Sequence, residues 1–132
     1  MHRYNYRMNR ATFGVLLAAF VAVYTVLVLA MTKPPALAEM IVAFIAIPRL
    51  HDIGRTGWWL LTLLAGEILA IAIGWPGGVE GIQIAAGLYV LLALILLVIL
   101  GLVPGEAETN RWGAPPAPGV RLTSRNAASD SE

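Results

Sequence analysis

The chain has 132 residues, of which 58% are hydrophobic and 13% charged, with a formal net charge of +1. That length allows one domain, and the charged fraction is about half that of an ordinary soluble domain, so lipid is the solvent this composition fits. With no cysteine and two histidines, the chain excludes disulfides, thiolate metal sites and cysteine nucleophiles and argues against a histidine-rich metal centre; no metal and no cofactor is expected.

Residues 1–12 form a basic N-terminal segment, in which Arg3, Arg7 and Arg10 have the spacing of one helical face. Each stands to gain about 1 kcal/mol beside anionic lipid, although their plainer role is to fix orientation. The first apolar stretch, 13–31, carries no charge. It is long enough to span a bilayer and longer than the apolar core of a signal peptide, so it is expected as a retained span. The second apolar stretch, 36–47, is short for a hydrocarbon core of roughly 30 Å, and the span built on it is expected over about 36–50. Pro34 and Pro35 suit a helix start, but Pro48 threatens to kink or end it. It crosses only if the helix runs on past Pro48 or the bilayer thins. A third stretch, 58–74, has Glu67 at its centre, and a fourth, 82–103, is clear apart from Gln83. Residues 104–132, rich in Pro, Gly, Ala and Ser, offer too little apolar area to offset ordering entropy and are expected to be mostly disordered.

The charges orient these stretches. Arg3, Arg7, Arg10, Arg49, Arg55, Arg111, Arg121 and Arg125 are all of the arginines, and all fall before the first stretch, between the second and third, or after the fourth. Lys33 alone lies in the loops of the other side. This is the positive-inside pattern for four crossings with both termini cytoplasmic. The expected fold is therefore an all-α, four-helix transmembrane bundle, its second helix short or kinked, its transmembrane domain covering 13–103.

Small residues recur every fourth position at Gly14, Ala18 and Ala22, and again at Thr62, Gly66, Ala70 and Gly74. Such stripes let helix backbones approach in lipid, so the first and third helices are expected to pack along them. Trp58, Trp59, Trp75 and Trp112 fall at stretch boundaries, where interfacial anchoring accounts for an indole without any stacking role.

The polar run between the second and third stretches reads Arg49-Leu50-His51-Asp52-Ile53-Gly54-Arg55-Thr56-Gly57-Trp58-Trp59. It resembles the R-L-H-D-x-G-R-S-G-W-W signature of the YhaH-like small inner-membrane proteins of bacteria, the domain-of-unknown-function family 805. Arg7-x-x-Arg10-x-x-Phe13 is similar to that family's N-terminal R-x-x-R-x-x-(Y/F)-W, and Asn110-Arg111-Trp112-Gly113 to the start of its C-terminal N-x-(Y/F)-G-x-D-P. Gly14 and Pro115 stand where the pattern has tryptophan and aspartate. The resemblance covers 7–116, implies a multi-pass protein of the bacterial inner membrane, and names no reaction.

With four crossings, Arg7, Arg10, Arg49, His51, Asp52, Arg55, Asn110 and Arg111 all lie on one face at headgroup depth. They are the candidate anion- or headgroup-binding residues, since an arginine fork matches phosphate oxygens and His51 titrates near neutral pH. The structural alternative is a rigid inter-helix corner. In it Asp52 accepts backbone N–H groups or pairs with Arg55, Gly54 and Gly57 supply unusual backbone angles, and Thr56 caps the third helix. Adjacent His51 and Asp52 do not orient each other as a catalytic pair, and no nucleophile or carboxylate-pair motif accompanies them. No catalytic residue is assigned, and a non-enzymatic role is expected.

Glu67, an acid at mid-bilayer, has Tyr24, Thr25 and Tyr89 at similar depth as candidate partners. It supports the alternative of a transporter-like or proton-coupled protein, an enzyme acting on a membrane-embedded substrate coming third. The expected partners are the bilayer and its anionic lipids, with a membrane protein or a second copy beyond them. Basic charge is too sparse for nucleic acid.

Overall fold

In a computed structural model, residues 7–31 and 38–122 are described, and all regular elements among them are helical. Helix α1 covers Arg10–Ala30 and α2 covers Ala38–Asp52. A continuous helical run, Gly57–Leu102, follows. It opens with a 3₁₀ turn at Gly57–Leu60, continues as α3 over Leu61–Gly74, and folds back at Trp75–Gly77 into α4, Gly78–Leu102.

Local chemistry sets the ends. Asn9 caps α1, its side chain accepting the Thr12 N–H at 2.8 Å, which satisfies one of the donors a helix start leaves free. Helix α2 continues through Pro48 rather than stopping there. It ends in a Schellman motif: the Arg55 N–H donates to the Leu50 carbonyl at 2.8 Å and the Gly54 N–H to the His51 carbonyl at 3.2 Å. The motif needs a left-handed residue, and Gly54 supplies it at φ +75°. Thr56 sits at the cap position of the next turn, but its side chain makes no cap bond there. Arg7 lies just before α1 and is buried, whereas Arg10 is exposed, so the two do not share a helical face; Arg3 lies outside the described residues.

The expected packing of α1 on α3 is corrected by the structure: among the described residues these helices do not touch. Helix α3 packs instead along α4. A Cβ on Gly74 would meet the Gly81 carbonyl at 2.6 Å, and one on Gly66 the Tyr89 ring at 3.0 Å. The short turn brings α4 back antiparallel onto the small-residue face of α3, and that face is then spent. Helix α4 also meets α1 and α2, and α1 meets α2.

The apolar core is Phe13, Leu17, Ile45, Ala46 and Leu97, which places it towards the start of α1 and the ends of α2 and α4. Elsewhere the apolar side chains face out: Leu29 is 82% exposed, Phe44 75% and Ile73 68%. In α1, only 11% of the most apolar 18-residue window is buried, and 6% in Gly57–Leu102. The core helix of a soluble protein would be mostly buried, so these two segments have the length, composition and outward apolar surface of membrane helices.

Candidate functional site

Burial is inverted at one end of the molecule. Arg49 is fully buried, Asp52 is 3% exposed, Thr12 4% and Arg7 7%. Charges this deep must be paired and hydrogen-bonded, because desolvating a lone ion is prohibitive. Here they are. Asp52 accepts Arg7 Nε at 3.0 Å on one carboxylate oxygen and Arg49 Nη1 at 2.6 Å on the other. Arg55, the pairing partner expected for Asp52, lies 5.5 Å over the Trp59 ring instead.

The two guanidiniums spend their other donors on backbone. Arg7 donates to the carbonyls of Glu108 at 2.7 Å, Gly113 at 3.1 Å, Asp52 at 3.4 Å and Glu106. Together with Asp52 Oδ1 these acceptors match all five N–H groups of an arginine. Arg49 donates to Leu100 at 3.2 Å, Met8 at 3.4 Å and Val103. Leu100 and Val103 belong to the end of α4, where carbonyls have no helical partner and the dipole favours a cation. Arg49 therefore caps α4 from α2. The Met8 N–H meanwhile donates to the Pro48 carbonyl at 3.0 Å. The start of α1, the end of α2 and the end of α4 are tied at one corner.

Past α4 the chain stays on this corner. The Glu106 N–H donates to the Asp52 carbonyl at 2.8 Å. Asn110 donates to the His51 carbonyl at 2.9 Å and to Glu106 Oε2 at 2.8 Å. Residues 110–113 close a turn through paired backbone bonds of 3.1 Å, with Gly113 at φ +133°. Trp112 stacks on His51 at 4.5 Å with the rings 11° from parallel, and the Arg111 guanidinium lies 3.9 Å from the Trp112 ring centre. Trp112 thus has the stacking role that interfacial anchoring made unnecessary, while Trp58, Trp59 and Trp75 are exposed at helix ends. Further on, Asn9 donates to the Ala117 and Gly119 carbonyls at 2.7 Å each, and the Arg121 N–H donates to Thr12 Oγ1 at 2.9 Å. Composition reads this tail as unpacked, yet Glu106, Glu108, Asn110, Gly113, Ala117, Gly119 and Arg121 are bonded to the corner. Composition weighs apolar burial, and these bonds are mostly made by backbone carbonyls and N–H groups of the tail. Residues 123–132 lie outside the described residues.

Of the eight candidate residues, the structure brings Arg7, Arg49, His51, Asp52 and Asn110 into one interlocked cluster. Arg10, Arg55 and Arg111 stand exposed around it, their guanidinium groups making no hydrogen bond or ion pair with any described residue. Sequence reasoning missed Asn9, Thr12, Glu106 and Trp112, all of which act across more than 40 residues or through backbone.

Glu67 sits apart, half-buried on α3. Tyr89 turns its hydroxyl to the Leu63 carbonyl at 2.6 Å rather than to Glu67. Tyr24 stacks on Phe20 at 5.5 Å, on a helix that does not reach α3.

Among the described residues the architecture is all-helical, with two segments long and apolar enough to cross a membrane, and is compatible with a membrane protein. Residues 4–114 match the family described as Protein of unknown function (DUF805). The chain belongs to that family. No curated protein and no solved structure matches it.

Proposed function

We propose that this is a multi-pass protein of the bacterial inner membrane that crosses the bilayer four times and holds both termini in the cytoplasm. Its cytoplasmic corner presents Arg10, Arg55 and Arg111 to anionic headgroups. The observation that carries the reading is the Arg7–Asp52–Arg49 cluster. It joins the start of α1, the end of α2 and the end of α4, so these helix ends share one side, the side where the arginines concentrate. Helix α1 is ~31 Å long and α4 ~38 Å at ~1.5 Å per residue, enough to cross; α2, at ~22 Å, crosses with its buried polar end at headgroup depth or in a thinned bilayer.

The division of labour follows from the bonding. Arg7 and Arg49 are occupied in holding the corner together, while the three exposed guanidiniums are available to phosphate oxygens, each worth about 1 kcal/mol near an anionic surface. The test is unfolding of the full chain in nanodiscs of phosphatidylglycerol against phosphatidylcholine. The wild type is expected to be more stable in the anionic discs, and Arg55→Ala combined with Arg111→Ala to lose most of that increment. Equal wild-type stability in both lipids would remove the headgroup reading.

A further inference from the structure

One feature of α1 is left unused by the fold. The small residues Gly14, Ala18 and Ala22 are exposed, and nothing lies within 4 Å of where a Gly14 side chain would be. They floor a groove of about 880 Å³ whose other wall is α4, through Leu94, Val98 and Leu102. The lining is apolar except at the corner end, where Arg10 stands.

We infer that this groove seats one acyl chain of an anionic phospholipid from the leaflet in which the corner lies, with its phosphate on Arg10. Three observations support that occupant. The first is charge: Arg10 is exposed, its guanidinium makes no hydrogen bond or ion pair with any described residue, and it stands at the groove's mouth. A guanidinium there can meet a phosphate with a charge-assisted fork. The second is length. From Arg10 to Ala22 the helix rises ~18 Å at ~1.5 Å per residue, close to the ~15 Å depth of one leaflet of a ~30 Å hydrocarbon core. The groove thus runs from headgroup level to about the midplane. The third is shape: wall residues such as Val98, 52% exposed, and Leu102, 70% exposed, leave the slot open sideways to lipid. A chain entering from the bilayer crosses no polar barrier. The inference rests on the corner lying at headgroup depth, and it deepens that reading by naming a bound lipid rather than a charged surface.

The test is native mass spectrometry of the full chain released from nanodiscs holding equal phosphatidylglycerol and phosphatidylcholine. The wild type is expected to retain one phosphatidylglycerol. Arg10→Gln removes the charge-assisted bond and is expected to cut the preference for phosphatidylglycerol roughly tenfold while leaving a chain in the slot. Ala18→Leu fills the floor and is expected to abolish retention of either lipid. Both positions are exposed, and a circular-dichroism melt checks that each variant folds. Retention unchanged by both variants overturns the proposal. So does a disulfide-linked dimer of Ala18→Cys that forms in full in the membrane and excludes lipid, because a second copy then covers the stripe. The Arg55→Ala/Arg111→Ala chain separates this inference from the broader reading. If it loses its stability increment in anionic discs but keeps its bound lipid, the groove and the outer cations act independently; if the groove variants alone are silent, only the groove inference fails.

Discussion

Replacing Asp52 by alanine tests the corner most severely. Its carboxylate lies between two buried guanidiniums, at 3.0 Å from Arg7 and 2.6 Å from Arg49. Without it, two positive charges remain in a space shielded from water. Removing one partner of a buried ion pair costs ~3–5 kcal/mol, because the orphaned charge keeps its desolvation penalty. Against a typical total stability of ~5–15 kcal/mol, that is a large loss. Arg55→Ala supplies the control: its exposed guanidinium sits 5.5 Å over Trp59, an arrangement worth about 0.5–1 kcal/mol at the surface. The assay is denaturant unfolding in phosphatidylcholine nanodiscs followed by tryptophan fluorescence, with limited trypsin digestion in parallel. Asp52→Ala should unfold several kcal/mol earlier than Arg55→Ala, with faster cleavage at Arg111 as the segment held by Arg7 and by the Asp52 backbone loosens. If the two variants unfold within about 1 kcal/mol of each other and Arg111 is cut at the wild-type rate, the carboxylate does not organise this end of the protein.

Other predictions follow from single contacts. Gly54→Ala meets a positive φ of 75° and the Glu106 carboxylate together, so it should destabilise by more than the ~1–2 kcal/mol of a left-handed residue alone. Adding Glu106→Ala should recover the steric part and leave the backbone part, as a double-mutant unfolding cycle reads. Trp112→Ala should cost about 0.5–1.5 kcal/mol through the lost His51 stack and raise hydrogen exchange at 110–113, where unchanged exchange would show that the ring does not hold the turn. Gly81→Leu, placed against the backbone of Gly74, should force α3 and α4 apart at the turn. A spin-label distance between the exposed positions 73 and 84 that does not lengthen in this variant would contradict that close approach.

The helical segments were legible because membrane solubility writes itself into long uncharged runs, as in 13–31. The corner was legible in part. Gly54 invites a left-handed cap wherever it ends a helix, and the arginine pattern grouped three polar motifs whose residues Arg7, Asp52, Arg49 and Asn110 meet at the corner. The pairing of Asp52 was not legible. The sequence-local partner, Arg55, is three residues away, whereas Arg7 is 45 away, and nothing in the spacing says that the N-terminal arginine turns inward. The contacts of 104–121 were not legible because most of them use backbone carbonyls and N–H groups, which nearly every residue carries alike. The stripe of small residues on α1 misled for a related reason: spacing shows that a backbone can be approached closely, not which surface approaches it. Helix α3 was taken by α4 because a short turn made them neighbours, and α1 was left with an open face.

The central claim is that the ends joined at the corner lie on one side of the bilayer because the chain crosses it four times. Single cysteines at positions 10, 55, 78 and 111, reacted with a membrane-impermeant maleimide in right-side-out and inverted vesicles, measure this directly. The account requires 10, 55 and 111 to react only in inverted vesicles and 78 only in right-side-out ones. Labelling of 55 from the same side as 78 contradicts it.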